Sequence, residues 1–190
     1  DPVRFIGNYS SGKMGFALAE ACAERGAEVT LVAGPVSLKT HHPAIKRIDV
    51  ESAGEMYQAA MTAFPSSDAA ILCAAVADYR PENASEQKIK RETEGEMTLH
   101  LVPNPDIAAS LGAIKREGQV MVGFALETND EATHAEGKLK RKNLDFIVLN
   151  SLRDQGAGFR CDTNKITIID NAGGVTSYPL KTKREVACDI

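Results

Sequence analysis

Short apolar runs alternate along this chain with segments that have a helical pattern. Three of the runs, Ala27–Ala33, Ala69–Ala74 and Gln119–Ala125, are nearly continuous stretches of aliphatic and small residues. Strands of this kind are typical of a parallel sheet covered by helices, because their side chains are buried on both faces. The alternation therefore predicts an α/β fold built on a doubly wound, mostly parallel sheet.

The remaining segments extend the same order. A further helix is predicted after Asn104-Pro105-Asp106, which supplies an N-cap candidate and a proline for its first turn. We also predict strands at Ile45–Val50 and Phe146–Leu149, a terminal β-hairpin of Ile166–Ile169 and Val175–Tyr178, and helices at Phe16–Ala23, Ala53–Phe64, Asn129–Lys142 and Thr182–Ile190.

One polar stretch, residues 76–104, interrupts the alternation. It contains Lys88-Ile89-Lys90-Arg91 and ends in a strand-like alternation at Met97–Val102. We predict that this stretch, called the flap below, is an excursion with an edge strand. The flap then belongs to a single domain that spans residues 1–190.

Composition excludes several classes of protein. The chain has 22 basic and 26 acidic residues, a net charge of -4, so the molecule as a whole does not match a nucleic-acid backbone. No apolar run approaches the roughly 18 residues of a membrane span. Its four cysteines are far apart and suit free thiols in a reducing cytoplasm. We therefore expect a cytoplasmic protein that binds no membrane and no nucleic acid.

The ligand crevice of a doubly wound sheet lies beyond the carboxyl ends of its strands. The predicted loops at those ends are Asn8–Lys13, Ala74–Arg80, Gly123–Thr128 and Asn150–Asp154. Asp78 lies in the second loop, where a carboxylate favours a role in ligand binding over a partner in the core. These loops are where we expect the functional residues.

The first loop has the spacing G-x-x-x-x-G-K, with Gly7, Gly12 and Lys13. A P-loop needs a serine or threonine next, and this chain has Met14. Two interpretations stay open: backbone N–H groups with Ser10 and Ser11 form a phosphate cradle, or a serine only caps the helix. The dinucleotide pattern G-x-G-x-x-G is absent, which disfavours NAD.

Two groups of basic residues have both a functional and a structural interpretation. Lys88 and Lys90 share a face if the segment is extended, which suits a polyphosphate, although such runs are usually solvated. Lys138 and Lys142 share a helix face, where they also complement the helix dipole. Histidines and cysteines show no metal-ligand spacing. The residues alone indicate an α/β protein that binds an anionic, phosphorylated ligand without a side-chain nucleophile.

Six motifs follow one another over essentially the whole chain: residues 1–15 (DPVRFIGNYSSGKMG), 74–80 (AAVADYR), 88–91 (KIKR), 104–107 (NPDI), 123–128 (GFALET) and 142–145 (KNLD). Together they closely resemble phosphopantothenate–cysteine ligase, the C-terminal domain of the bacterial bifunctional coenzyme A biosynthesis flavoprotein. The resemblance implies a Rossmann-like fold and a homodimer. It also implies that CTP, with Mg²⁺ on its phosphates, activates 4'-phosphopantothenate as an acyl-cytidylate, and that L-cysteine then displaces CMP.

The resemblance also assigns roles to residues. It implies that Asn8 holds the activated carboxylate, that Ser10 helps to bind the substrate, and that Lys88 turns the intermediate over. The residues it implies for nucleotide binding are Ser10, Ser11, Gly12, Ala74, Ala75, Asp78, Lys88, Asn104, Pro105, Asp106, Ile107, Phe124, Lys138 and Lys142. It implies no protein ligand for a metal, and it places FMN only in a preceding decarboxylase domain.

Three features depart from the family pattern. The Gly-rich turn after the family's first strand would lie upstream of Asp1, so we expect residues 1–190 alone to be less than fully active. Arg91 replaces the last lysine of Lys-x-Lys-Lys, which keeps the charge but changes its geometry. Ser151 stands where the family often has aspartate, so no role is transferred to it.

Two other functions are compatible with the predicted fold. One is a nucleotide-binding module without catalytic activity, and the other is a nicotinamide-dependent reductase of similar topology. Product analysis distinguishes them, because only the ligase releases pyrophosphate and CMP.

Overall fold

The computed structural model describes residues 1–90, 96–127, 131–151 and 161–190. Its helices are α1 (Lys13–Glu24), α2 (Ala53–Ala63), α3 (Ile107–Ile114), α4 (Glu131–Arg141) and α5 (Lys183–Asp189), with a 3₁₀ turn at Phe64–Ser66. Its strands are β1 (Val29–Ala33), β2 (Ile45–Asp49), β3 (Ala69–Leu72), β4 (Tyr79–Pro81), β5 (Leu101–Pro103), β6 (Val120–Glu127), β7 (Phe146–Ser151), β8 (Thr163–Asn164), β9 (Ile166–Asp170), β10 (Val175–Ser177) and β11 (Lys181–Thr182).

A five-stranded sheet in the order β10-β9-β7-β6-β3 forms the centre of the described structure. β3, β6 and β7 are parallel, whereas β9 and β10 form the predicted antiparallel hairpin at one edge. β1 and β2 pair in parallel as a separate sheet, and within the described ranges no strand pair joins the two. The predicted mixed α/β fold with a mostly parallel sheet is confirmed.

Two core clusters cover the opposite faces of this sheet. Met121 and Ile147 belong to one cluster, whereas their neighbours Val122 and Val148 belong to the other. Successive side chains of a strand point to opposite faces, so this division shows that β6 and β7 are buried on both sides. The apolar runs of the sequence therefore reflect a sheet between two layers of helices.

The flap differs from its prediction at the strand. Met97–Val102 was expected to be a strand, but residues 96–100 are irregular and β5 covers only Leu101–Pro103. β5 pairs antiparallel with β4, which has only three residues, so the ladder cannot extend over the whole alternation. Met97 and Leu99 are 57% and 51% exposed, because no layer of the described structure covers them.

The start of α3 also differs from the prediction. Asp106 is its N-cap and its carboxylate accepts the Ala109 N–H at 3.0 Å. Pro105 consequently precedes the helix instead of occupying its first turn. Asn104 does not cap the helix, because its side chain bonds back to the flap.

Several predicted residues lie outside the described ranges. They are Arg91, Thr128 and residues 152–154 of the Asn150–Asp154 loop. No helix in the described part of the chain is both long and apolar enough to cross a membrane.

Candidate functional site

The region beyond the carboxyl ends of β3 and β6, where a doubly wound sheet binds its ligand, is called the crevice below. Leu72 pairs with Gly123, so Phe124 is level with the first residue after β3. Ala74 is exposed and Ala75 is half-buried in the loop that follows, while Phe124 is half-buried against the second core cluster. The sheet register therefore brings three of the predicted residues to one edge.

Asn8 joins this edge through the N-terminal loop. Its side-chain amide donates a hydrogen bond to the Val76 carbonyl at 3.1 Å, and the side chain is exposed. Residues 68 positions apart in sequence are thereby held together. Binding of the reacting carboxylate by this amide, which the resemblance implies, stays a prediction.

Asn104 ties the base of the flap to the same loop. Its backbone N–H donates to the Asp78 carbonyl at 2.8 Å, and its side-chain amide donates to the Ala77 carbonyl, also at 2.8 Å. The Arg80 guanidinium closes the connection by donating to the Pro103 carbonyl at 2.6 Å and to the Asn104 side-chain oxygen at 3.3 Å. The carboxylate of Asp78 itself is left exposed at the crevice.

Asp106 and Lys142 form an ion pair at the start of α3. The Lys142 ammonium lies 3.0 Å from the second carboxylate oxygen of Asp106. Burial by itself would raise the pKa of Asp106, but the Ala109 N–H and the Lys142 ammonium outweigh it, and the pKa is lowered. The carboxylate stays ionised and holds the Lys142 cation at the start of α3.

Gly112 explains why Lys142 can lie so close to α3. A Cβ atom at Gly112 would overlap the Lys142 carbonyl, so only glycine allows the two backbones to meet here. The Asn143 side chain then donates to the Gly112 carbonyl at 3.0 Å, and Asn143 has a positive φ of 51°. The Gly112 contact was missed in the sequence, because nothing near this glycine indicates that a distant backbone approaches it.

The Ser10–Gly12 turn precedes α1. The Gly12 N–H donates to the Ser10 hydroxyl oxygen at 3.3 Å, and Gly12, with φ at 74°, is the N-cap without a side-chain cap bond. Ser11 is half-buried in this turn. Ser10 thus accepts a backbone N–H within the turn but does not cap α1, and phosphate binding by the turn stays a prediction.

The remaining predicted residues are not gathered as closely. Lys88 is exposed, and the backbone of its neighbour Ile89 bonds to Asp1 at 3.2 Å and to Arg4 at 2.8 Å. This part of the flap therefore lies against the N-terminal residues. Lys138 is half-buried in the last turn of α4, Pro105 is exposed, and Ile107 packs on the first core cluster.

Two buried polar groups lie beneath α1. Lys183 is only 7% exposed, and its ammonium donates to the Cys161 carbonyl at 2.5 Å. Burial lowers the pKa of Lys183, and the nearby charge of Lys13 lowers it further. Burial raises the pKa of the Cys73 thiol to about 12, as suits a packing residue. Lys183 was not predicted from the sequence, because no local pattern indicates its contact with Cys161, 22 residues away.

The chain matches a known protein family over its whole length. Residues 1–190 match the family described as the DNA/pantothenate metabolism flavoprotein C-terminal domain. The chain belongs to this family. The family predicted from the six motifs is therefore confirmed.

Individual relatives of this C-terminal domain family are similar over the whole chain. It is 49% identical to the coenzyme A biosynthesis bifunctional protein CoaBC of Vibrio cholerae, covering 100% of this chain and 47% of the relative. The corresponding Bacillus subtilis protein is 45% identical, with coverages of 100% and 46%. A protein from an unknown prokaryotic organism, described as a cysteine/cysteine sulfinic acid decarboxylase, is 60% identical, with coverages of 100% and 53%. The chain thus spans about half the length of these relatives.

Solved structures of the family have the same fold. The C-terminal domain of a CoaBC protein is 39% identical with a TM-score of 0.82, and the match covers 100% of this chain and 84% of that one. A complex of a Cab2 mutant with phosphopantothenate-cysteine has a TM-score of 0.74 at 16% identity, with coverages of 97% and 77%. At that identity the likeness shows the fold alone.

Proposed function

We propose that this chain is a ligase that joins 4'-phosphopantothenate to L-cysteine in coenzyme A biosynthesis, in the cytoplasm. CTP is converted to CMP and pyrophosphate through an acyl-cytidylate. The observation that carries the proposal is the network at the crevice: the Asn8 amide, the Ala74–Asp78 loop and the Asp106–Lys142 pair adjoin one another. Family membership and the CoaBC relatives support the same activity.

In the first half-reaction, the substrate carboxylate attacks the α-phosphorus of CTP and pyrophosphate leaves. Phosphate charge then has to be stabilised, and the cations at the C-terminal end of α4, Lys138 and Lys142, are suited to that task. The N–H groups at the start of α1, with Ser10–Gly12, supply a second anion-binding element. Mg²⁺ enters on the nucleotide phosphates in this proposal.

In the second half-reaction, the cysteine amine attacks the acyl carbon. The bond between this carbon and the phosphate oxygen of CMP breaks, and CMP leaves with that oxygen. Negative charge develops on the acyl oxygen before the bond breaks. We assign the Asn8 amide N–H to this oxygen, and to the substrate carboxylate in the first half-reaction, because a preorganised donor stabilises the charge that develops in both. The amine has to be uncharged when it attacks, because its lone pair forms the new bond to carbon, and the nitrogen then loses one proton as the amide forms.

Lys88 is assigned to the same second step. Its segment is exposed and belongs to the flap, which can close over a bound intermediate. Closure would exclude water from the acyl-cytidylate and place a cation near its phosphate. The contacts of Ile89 with Asp1 and Arg4 provide the surface against which this segment rests.

We further propose that the domain acts as a homodimer and that the flap contributes to its interface. Tyr79, Met97, Leu99 and Leu101 leave apolar side chains 39% to 57% exposed on the flap. Exposed apolar side chains that cluster on one segment are typical of a protein–protein interface. Sedimentation of the parent and of Leu99→Glu tests this, since the variant should be monomeric.

The decisive experiment supplies CTP, MgCl₂, 4'-phosphopantothenate and cysteine to the full natural polypeptide. Pyrophosphate, CMP and the ligated product should appear in equal amounts, and ATP in place of CTP should give much less. CTP binding without these products would indicate a module without catalytic activity. Carbon dioxide release from cysteine or cysteine sulfinate without CTP would instead support the activity named for the decarboxylase relative. We propose that FMN binds only in a preceding decarboxylase domain of the coenzyme A biosynthesis flavoprotein.

A further inference from the structure

Arg47 lies on β2 and binds the loop that follows β1. Its guanidinium donates to the Leu38 carbonyl at 2.5 Å and to the Val36 carbonyl at 3.4 Å. The same group pairs with the Asp49 carboxylate at 2.6 Å, so its charge is neutralised within the protein. Arg47 therefore acts on the protein's own backbone and on Asp49.

The guanidinium also contacts the first turns of α1. Its central carbon lies 5.3 Å from the centre of the Phe16 ring, and Phe16 is 7% exposed three residues after the first residue of the helix. An arginine over an aromatic face is attracted to it. The planar guanidinium can donate hydrogen bonds in its own plane at the same time. One side chain thus links β2, the loop after β1 and the start of α1.

Val36 extends this link to the Ser10–Gly12 turn. A Cβ atom on Gly12 would lie 3.2 Å from both terminal methyl groups of Val36, so the Val36 side chain abuts the Gly12 backbone. Gly12 has φ at 74°, a conformation that favours glycine. The turn is therefore supported from below by a side chain whose own carbonyl is held by Arg47.

We propose that Arg47 is a positioning residue for nucleotide phosphate binding: it holds Val36 against Gly12 and fixes the start of α1. This inference rests on the proposed function, in which the Ser10–Gly12 turn binds the phosphates of CTP. A lysine at position 47 could keep one charge contact. It could not donate to two carbonyls, pair with Asp49 and stack on Phe16 together, because it lacks the planar fork of donors.

The test is calorimetric titration of the full natural polypeptide with CTP and Mg²⁺, together with steady-state constants for all three substrates. Arg47→Met should weaken CTP binding by about tenfold, Arg47→Lys by about threefold, and the constant for cysteine should change less than twofold. Arg25→Met is the matched control, because Arg25 donates to the Ala21 carbonyl at the other end of α1. It should bind CTP like the parent.

A purely structural role would lower the melting temperature of the Arg47 variants and leave their CTP affinity unchanged. That result overturns the inference. If Arg47→Met does not fold, Arg47→Lys and Val36→Ala decide, and parent-like CTP affinity in both overturns it equally. Failure of the parent to bind CTP would overturn the proposed function and this inference together, whereas parent-like CTP binding by the Arg47 variants overturns the inference alone.

Discussion

The Lys142 ammonium lies 3.0 Å from the Asp106 carboxylate and joins the C-terminal end of α4 to the N-cap of α3. Neither residue is close to the other in sequence, and the pair forms because α3 and the residue after α4 meet at Gly112. The close backbone packing at Gly112 and the ion pair between Asp106 and Lys142 can be tested separately.

We expect Gly112→Ala to destabilise the protein, because the added methyl group would overlap the Lys142 carbonyl. Overpacking of this kind costs about 1 to 3 kcal/mol. Urea unfolding measures the change. Gly137→Ala is the control, since Gly137 lies in α4 with open space around it and alanine should there stabilise the helix by up to about 1 kcal/mol. Equal effects of the two substitutions would contradict the close approach at Gly112.

The stability contributed by Asp106 should depend on pH. Its pKa is lowered from the ordinary value of 3.8, so the contribution is complete above that value and is lost as the pH falls through the lower folded-state value. Asp106→Asn keeps a cap acceptor but loses the ion pair with Lys142. Its stability deficit relative to the parent should therefore be largest above about pH 5 and shrink in acid. A deficit that grows on acidification would contradict the assignment.

Asp106→Ala should be worse than Asp106→Asn at neutral pH, because alanine cannot accept the Ala109 N–H. Loss of an N-cap acceptor costs about 1 kcal/mol. Chemical unfolding of both variants at pH 7 measures the difference. Equal stability of the two variants would show that the cap bond contributes little.

Asn8→Asp should slow formation of the acyl-cytidylate, because a carboxylate replaces a donor beside the substrate carboxylate. Loss of one such donor typically reduces the rate by about 100-fold or more. Pyrophosphate release measures the first half-reaction. Asn171→Asp, at the exposed tip of the β9–β10 hairpin, is the control and should be unaffected. Pyrophosphate release by Asn8→Asp at the parent rate would leave Asn8 as a turn residue only.

Lys138→Ala and Lys142→Ala should raise the apparent constant for CTP more than that for cysteine, since fixed cations act on the nucleotide phosphates. Added salt should weaken CTP binding by the parent. Lys140→Ala is the matched control, because Lys140 is an exposed cation in the same turn. If all three variants bind CTP equally well, the lysines are helix-end charges that only complement the dipole.

Lys88→Gln should release pyrophosphate at a near-parent rate but accumulate acyl-cytidylate and form little ligated product. Closure of the flap matters most after the intermediate has formed, when water competes with cysteine. Chromatography of quenched reactions separates these species. Lys46→Gln, an exposed cation on β2, is the control. Parent-like ligation, or loss of pyrophosphate release without an intermediate, would remove Lys88 from the second half-reaction.

The elements that sequence alone predicts are those with a local cause. The apolar runs at β3, β6 and β7, the hairpin of β9 and β10, and the helices α1 and α2 all lie within a few residues of their predicted bounds. Periodicity, glycine stops and turn residues act over neighbouring positions, so these elements can be recognised without knowing what they pack against. The predicted flap strand was too long, because alternation indicates a strand only where a partner and a covering layer exist.

The tertiary structure decided which of the predicted residues lie next to one another. Asn8 with Val76 and Asp106 with Lys142 are joined by the order of the sheet and by the α3–α4 contact. Gly112 meets the Lys142 carbonyl, and Arg47 stacks on the Phe16 ring, about 30 residues away in each case. The type of a residue does not indicate which distant group it will meet. Sequence therefore determined the elements and the family motifs, because both are local. The geometry of the site depended on long-range packing, which only the folded chain provides.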